Sequence, residues 1–169
     1  MAENIALKDY CSLFDSVSLC FSKGLSTPVG SVIVGHAPFI EKARHLKKAF
    51  GGGIRNPGIL SAACLMSLDQ ILPRIEKTHV VAKEIAARLE NVGYKLTLPV
   101  ETNMVFIDLE ILGVRDKTFQ EYCAREGVTV FDYNRIVVHH QTSQVAVDKL
   151  IIAMTRLMND VRNGNLQQS

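Results

Sequence analysis

Several features that would assign a class of function at once are missing from this sequence. Its 169 residues carry a net charge of +2 and no block of like charge, so we predict no nucleic-acid partner and no membrane partner. The four cysteines form no CxxC pair, which argues against a zinc site or a disulfide framework. Free thiols are typical of a reducing compartment, so we expect a cytoplasmic protein without a metal. The cysteines are Cys11, Cys20, Cys64 and Cys123.

Long hydrophobic runs are also scarce. The start, MAENIALKDYCS, has neither an apolar core nor a small-residue cleavage site, and we expect no secretory signal. The apolar stretches elsewhere are interrupted before the roughly 20 residues that a membrane-spanning helix needs. With 47% hydrophobic and 21% charged residues, the composition is that of a globular protein of one domain, or of a domain and a fragment.

Residues 1–56 combine two predicted helices with two predicted strands. The β-favouring runs VSLCF and SVIVG are separated by turn residues, and the helices cover 5–14 and 38–50. The glycines of GGGIRNPG end the second helix and begin a loop that carries Arg55. So few elements cannot bury both faces of a sheet, so this part either packs on the rest of the chain or is the remnant of a larger layer.

The remainder divides into two further predicted parts. Residues 57–97 read as a long connecting helix that Pro73 kinks or divides and that Gly93 ends. Residues 98–169 read as an α+β domain with strands in NMVFIDLEI, VTVFDY and RIVVHH and a final helix capped by Ser143. The predicted class of residues 98–169 is therefore α+β.

Lys23 is the first residue that could carry chemistry, and it has two interpretations. A lysine after an apolar run is commonly a solvated strand end. It could also be an amine that forms a Schiff base with a carbonyl, which requires partial neutrality near pH 7 against a free pKa of about 10.4. Gly24 would let a planar ligand approach the backbone, and Ser22 could donate a hydrogen bond to a phosphate.

Two arginines and a histidine pair have similar alternatives. Arg55 and Arg135 have two interpretations: each is an ordinary solvated cation, or each is a functional residue that binds an anion. His139 and His140 are adjacent and would point to opposite faces of a strand, so at most one could face a site. Because the sequence offers no third metal ligand to accompany them, we expect the two histidines to be core or surface residues.

The segments FDSVSLCFSKGLSTPVGSVIVG and GGGIRNPGILSAA resemble the low-specificity L-threonine aldolases. These are lyases that depend on pyridoxal 5'-phosphate and have the aspartate-aminotransferase-like fold, called fold type I. The resemblance continues through TNMVFIDL and RIVVHH to the last helix, and it departs from many relatives at Ser26-Thr27. It implies an α/β fold class, in which 1–56 is the remnant of a cofactor-binding large domain and 98–169 is the C-terminal α+β small domain.

The resemblance also implies roles for individual residues. Lys23 matches the lysine that holds the cofactor through a Schiff base, with Ser22 beside it. Arg55 matches a ligand of the cofactor phosphate, donated across a subunit interface. Arg135 matches the clamp for the α-carboxylate of the amino-acid substrate.

Other implications concern the whole protein. The family cleaves threonine or allo-threonine to glycine and acetaldehyde, and its members are homotetramers or dimers. The family's phosphate-binding turn, its ring-stacking histidine and its pyridine-pairing aspartate precede the lysine segment, and we expect them outside this chain. Two hypotheses result: this is the C-terminal half of an aldolase, or it is a non-catalytic fragment that associates with a full-length one. A third, a transaminase-like enzyme, is disfavoured by the SKGL and GGGIR segments.

Overall fold

The computed structural model describes residues 2–131 and 134–166. Two compact units make up the chain, Met1–Ile75 and Glu76–Ser169, here called unit 1 and unit 2. Their boundary falls inside the predicted connecting segment 57–97. The three-part division of the sequence stays a prediction.

Unit 1 begins with a short helix and a two-stranded antiparallel ribbon. The helix α1 (Leu7–Cys11) precedes strands β1 (Ser16–Cys20) and β2 (Ser31–Gly35). The two strands pair from Ser16 opposite Gly35 to Cys20 opposite Ser31, so the predicted runs VSLCF and SVIVG are neighbours. β-Branched residues dominate β2 and favour this extended conformation.

Two longer helices complete unit 1. α2 (Ala37–Ala49) begins with a proline in its first turn and ends with two lysines, which complement the helix dipole. α3 (Gly58–Gln70) is followed by a 3-10 turn at Leu72–Arg74. Pro73 lies in that turn, so the predicted division of the long helix at Pro73 is confirmed.

Unit 1 leaves much of its apolar surface uncovered. Among the described residues of the unit, the buried hydrophobic side chains are Phe21 and Leu25 alone. The central residues of β2 are about half exposed, and Phe50 is 86% exposed. A two-stranded ribbon with exposed apolar faces is marginal by itself. The other large exposed hydrophobic side chains of unit 1 include Leu13, Phe14, Phe39, Ile54, Ile59, Leu65 and Met66.

One helical run also meets the length and composition of a membrane span. Gly58–Val92 contains an 18-residue window with a mean hydropathy of 1.2, which differs from the expectation that every apolar stretch is too short. Core helices of soluble proteins meet the same criteria but are mostly buried, whereas 6% of this window is buried. A 3-10 turn at Leu72–Arg74 interrupts the run. The finding is weak evidence for a membrane and assigns no compartment.

Unit 2 is built around one closed hydrophobic core. Its elements are α4 (Ile75–Val92), which begins at the unit boundary, β3 (Met104–Phe106), a 3-10 turn at Glu110–Leu112, α5 (Asp116–Arg125), β4 (Arg135–Val137) and α6 (Gln144–Arg162). β3 and β4 pair antiparallel, with Phe106 opposite Arg135. α4, α5 and α6 each place apolar residues at helical spacing on the inner face. Fully buried core side chains include Ile85, Leu89, Val105, Ile107, Leu109, Phe119, Cys123, Val147, Met154 and Leu157.

Polar contacts fasten the helices of unit 2 around that core. The buried Tyr94 hydroxyl donates to the carbonyl of Met154 at 2.9 Å, and burial raises the pKa of this phenol. Arg88 on α4 pairs with Asp148 on α6 at 2.7 Å.

Burial also raises the pKa of the Cys123 thiol to about 12. Cys123 is therefore an inert core residue rather than a reactive thiol.

The ends of the unit 2 elements match several predictions and correct others. Gly93 ends α4 with φ 113° and donates its N–H to the carbonyl of Leu89. Ser143 caps α6 by accepting from the amide of Ala146 at 3.2 Å. The predicted strand VTVFDY is wrong over residues 128–131, which form an irregular segment. Its last two residues lie outside the described residues.

Candidate functional site

Lys23 lies in a tight loop that connects β1 to β2. The backbone amide of Phe21 donates to the carbonyl of Gly30 at 3.0 Å, and the amide of Thr27 donates to the carbonyl of Phe21 at 3.1 Å. Gly30 has φ 107°, a conformation that a side chain disfavours. Phe21, 3% exposed, is buried on one side of Lys23. An ordered loop therefore presents the exposed lysine.

Two buried polar side chains donate hydrogen bonds to backbone carbonyls of the same loop, and they were not predicted from the sequence. The Ser67 hydroxyl on α3 donates to the carbonyl of Leu25, and both residues are buried. The Thr27 hydroxyl, also buried, donates to the carbonyl of Val29 at 3.1 Å. Ser67 and Thr27 are thus positioning residues for the Lys23 loop. Ser67, the second serine of the largely apolar helix GILSAACLMSLDQ, was the available signal.

The loop leaves open space beside the lysine. A Cβ added at Gly24 would meet only one neighbour within 4 Å, the Ile75 Cδ1 at 3.9 Å. The backbone next to Lys23 can therefore be approached closely by a flat group. Lys23 therefore has an exposed amine on an ordered loop, and the backbone beside it at Gly24 carries no side chain. This arrangement fits the attachment of pyridoxal phosphate through its aldehyde.

Cys20 and Ser22 lie at the same strand end as Lys23. The Cys20 Sγ and the Ser22 Oγ are 3.5 Å apart. The pKa of the Cys20 thiol is lowered, first by hydrogen bonds from the Ser22 hydroxyl and backbone amide and then by the positive charge of Lys23. Ser22 therefore faces Cys20 in this structure, while its exposed hydroxyl stays accessible to other acceptors.

This geometry predicts the relative reactivity of the thiols. At pH 7.5, iodoacetamide should alkylate Cys20 readily and leave Cys123 unmodified until the protein unfolds. The substitution Ser22→Ala removes the main hydrogen bond to the thiolate and should slow alkylation of Cys20 by roughly two- to fivefold. Peptide mass spectrometry measures both rates. Ser61→Ala, on the exposed side of α3, is the matched control, and an unchanged Cys20 rate in Ser22→Ala would contradict the assignment.

Arg55 lies on a separate and open loop of unit 1. The amide of Gly52 donates to the carbonyl of Lys47 at 2.7 Å, which closes the end of α2, and a Cβ added at Gly53 would meet no atom within 4 Å. Arg55 is exposed and forms no ion pair within the described part of the chain. No hydrogen bond between described residues joins it to the Lys23 loop. Its proposed phosphate contact stays a prediction.

Arg135 begins β4 in unit 2 and is half-buried. Its Nε is buried and has no hydrogen-bond partner among the described residues. The side chain contributes to a cavity of about 420 Å³ within unit 2. A guanidinium donor buried without an acceptor is costly, and an anion is the usual way to satisfy it. The geometry therefore suits a carboxylate ligand, as the resemblance implies.

The two histidines differ from their predicted arrangement. β4 ends at Val137, so His139 and His140 lie beyond the strand, and their rings are 4.3 Å apart rather than on opposite faces. The His139 backbone amide donates to the Thr142 hydroxyl at 3.0 Å. Within residues 2–131 and 134–166, no group of three metal-ligating side chains forms.

Comparison with known proteins identifies the class. The sequence model of the beta-eliminating lyase family matches residues 1–111, a span that includes Lys23 and Arg55. The chain belongs to the beta-eliminating lyase family. The resemblance to the threonine aldolases that the lysine segment indicated is confirmed by relatives at 40% identity and above.

Three curated relatives illustrate the range of this similarity. The low-specificity L-threonine aldolase of Candida albicans is 43% identical over 150 residues, which cover 89% of this chain and 40% of that protein. Aldolase vrtJ of Penicillium aethiopicum is 40% identical over 155 residues, which cover 90% and 40%. Alanine racemase TOXG of Cochliobolus carbonum is 37% identical over 153 residues, which cover 86% and 39%. The chain thus spans about 40% of the length of these relatives.

A solved structure shows the fold. The crystal structure of a Listeria monocytogenes protein described as an L-allo-threonine aldolase superposes with a TM-score of 0.73 at 18% identity. The match covers 92% of this chain and 48% of that one. The predicted fold, part of a fold type I large domain with a C-terminal small domain, is confirmed at this level.

Proposed function

We propose that this chain carries the lysine-bearing segment and the small domain of a pyridoxal-phosphate-dependent lyase of the threonine aldolase type. The observation that carries the proposal is the exposed Lys23 amine on a loop held by Phe21, Leu25, Thr27 and Ser67. The named aldolase relatives support the choice of reaction. We further propose a cytoplasmic location and a homo-oligomeric protein.

The proposed reaction converts threonine or allo-threonine into glycine and acetaldehyde. The Cα–Cβ bond breaks, the β-hydroxyl loses its proton as the aldehyde forms, and a proton is added at Cα. Pyridoxal phosphate, when bound, supplies the electron sink for this bond cleavage.

Each proposed site residue has a physical task. The Lys23 amine attaches the cofactor aldehyde covalently, and the Ser22 hydroxyl and the Arg55 guanidinium donate hydrogen bonds to its phosphate. The Arg135 guanidinium binds the substrate carboxylate with two parallel N–H donors. Fixing the carboxylate orients the substrate, so that Cα–Cβ rather than another bond at Cα is cleaved.

A chimera tests the proposal without presuming what this chain does alone. The 150-residue matched segment of the Candida albicans relative is replaced by the corresponding segment of this chain. We expect the chimera, supplied with pyridoxal phosphate, to release glycine from L-threonine or L-allo-threonine. A chimera that folds and binds the cofactor but racemises alanine, without cleaving either substrate, would contradict the aldolase assignment.

The uncovered apolar surface of unit 1 favours a second candidate function. A non-catalytic chain that associates with a full-length aldolase would bury the exposed side chains of β2 and α3. Size-exclusion chromatography of this chain with the Candida albicans relative tests that candidate. Co-elution of the two proteins would support it, and elution of this chain as an independent monomer would count against it.

A further inference from the structure

The loop that carries Lys23 contains a residue in an unfavourable backbone conformation. Ser26 has φ 57°, which lies in the left-handed region. Residues with a Cβ are disfavoured in this region, and glycine or asparagine is its usual occupant. Strain of this kind persists only where neighbouring contacts fix the backbone, and it is common at functional sites. The contacts around Ser26 therefore show what the strained conformation achieves.

The two chain neighbours of Ser26 are both buried and both hydrogen-bonded. Leu25 is 5% exposed and Thr27 is 7% exposed, whereas Ser26 itself is exposed. The Leu25 carbonyl accepts a hydrogen bond from the Ser67 hydroxyl. The Thr27 amide donates to the Phe21 carbonyl at 3.1 Å. The left-handed conformation of Ser26 lets the chain turn so that both neighbours keep these bonds.

The same conformation brings the Ser26 amide back to Lys23. This amide donates to the Lys23 carbonyl at 2.9 Å and closes a turn over residues 23–26. The Phe21 carbonyl, two residues before Lys23, is bonded to the Thr27 amide on the other side of Ser26. Hydrogen bonds thus fix the backbone before Lys23 and at Lys23, and both bonds depend on the backbone angles of Ser26.

We propose that Ser26 is a positioning residue for Lys23, because its left-handed backbone closes the 23–26 turn and fixes the direction in which the amine meets pyridoxal phosphate. This inference rests on the proposed function. It concerns the backbone of Ser26 and not its hydroxyl. A residue that accepts a positive φ should therefore replace the serine, and a residue that opposes a positive φ should not.

Three substitutions at Ser26 separate the backbone from the hydroxyl. Ser26→Gly and Ser26→Asn remove the hydroxyl and accept a positive φ, whereas the β-branched side chain of Ser26→Val opposes it. In the chimera, the absorbance of the Schiff base measures the affinity for pyridoxal phosphate. We expect Ser26→Gly and Ser26→Asn to stay within about twofold of the parent affinity, and Ser26→Val to lose at least about tenfold.

Ser61→Val is the matched control, because it makes the same change of side chain at an exposed serine of α3. It should leave the affinity for pyridoxal phosphate unchanged. Equal losses in Ser26→Gly, Ser26→Asn and Ser26→Val would assign the effect to the hydroxyl and overturn the proposal. Parent affinity in Ser26→Val would overturn it as well.

Amide hydrogen exchange of the full chain, followed by NMR, tests the turn without a cofactor and without the disruptive Ser26→Val. Ser26→Gly and Ser26→Ala both lack the hydroxyl, but only the glycine relieves the backbone strain. The protection factor of the Thr27 amide should therefore be at least about twofold higher in Ser26→Gly than in Ser26→Ala. The amide of Lys42, in α2, should be equally protected in both variants.

These measurements separate the inference from the proposed function. Equal protection of the Thr27 amide in Ser26→Gly and Ser26→Ala would show that Ser26 does not hold the turn, and the inference would fail while the chimera still formed its Schiff base. If the parent chimera forms no Schiff base at Lys23, the proposed function fails. The protection factors then still decide whether the backbone of Ser26 holds the 23–26 turn.

Discussion

Lys23→Ala is expected to abolish covalent attachment of pyridoxal phosphate in the chimera. The alanine has no amine, so borohydride treatment has no Schiff base to reduce at this position. Peptide mass spectrometry should find the pyridoxyl phosphate modification on the peptide that contains Lys23 in the parent chimera and on no peptide of the variant. Glycine release from threonine should fall by at least about a thousandfold, as expected when a covalent attachment group is removed.

Lys42→Ala is the matched control for this experiment. Lys42 is an exposed lysine on α2, and alanine is a favourable helix residue there. This variant should keep both the modified Lys23 peptide and the threonine cleavage. A modification that is distributed over many lysines and persists in Lys23→Ala would show that Lys23 is an ordinary surface amine.

Phe119→Ala is expected to produce the largest loss of stability. Phe119, on α5, is completely buried and is the largest of the fully buried side chains of unit 2. Replacing a buried phenylalanine by alanine removes apolar contact and leaves a cavity, which costs about 3–5 kcal/mol. Urea denaturation followed through the signals of Tyr94 and Tyr122, both in unit 2, measures this change in the free energy of unfolding.

The same substitution at Phe50 provides the comparison. Phe50 is 86% exposed at the end of α2, so Phe50→Ala should change the unfolding free energy by no more than about 0.5 kcal/mol. A small effect at Phe119, equal to that at Phe50, would mean that unit 2 lacks the shared core described above.

The difference between the two units explains which elements could be predicted. Helices α2, α4 and α6 have strong apolar periodicity and clear end signals, such as Gly93 and Ser143, so local pattern suffices to locate them. The β1–β2 pair follows from β-branched residues around a turn. The strand expected in VTVFDY failed over 128–131 because β-propensity is decided by pairing and packing, and this segment lines a cavity instead.

Sequence by itself determined the family, because the order, spacing and glycine pattern of SLCFSKGLSTPVGS match the segment that carries the family's cofactor lysine. The same match drew attention to Lys23. Tertiary structure alone decided how that loop is held, since the bond from Ser67 to the Leu25 carbonyl joins residues 42 positions apart. It likewise decided that the Nε of Arg135 is buried with no hydrogen-bond partner among residues 2–131 and 134–166, and that Arg135 lines a cavity of unit 2. The physical reason is that residue type and local spacing are written in the chain, whereas burial and hydrogen-bond satisfaction depend on neighbours that only folding brings together.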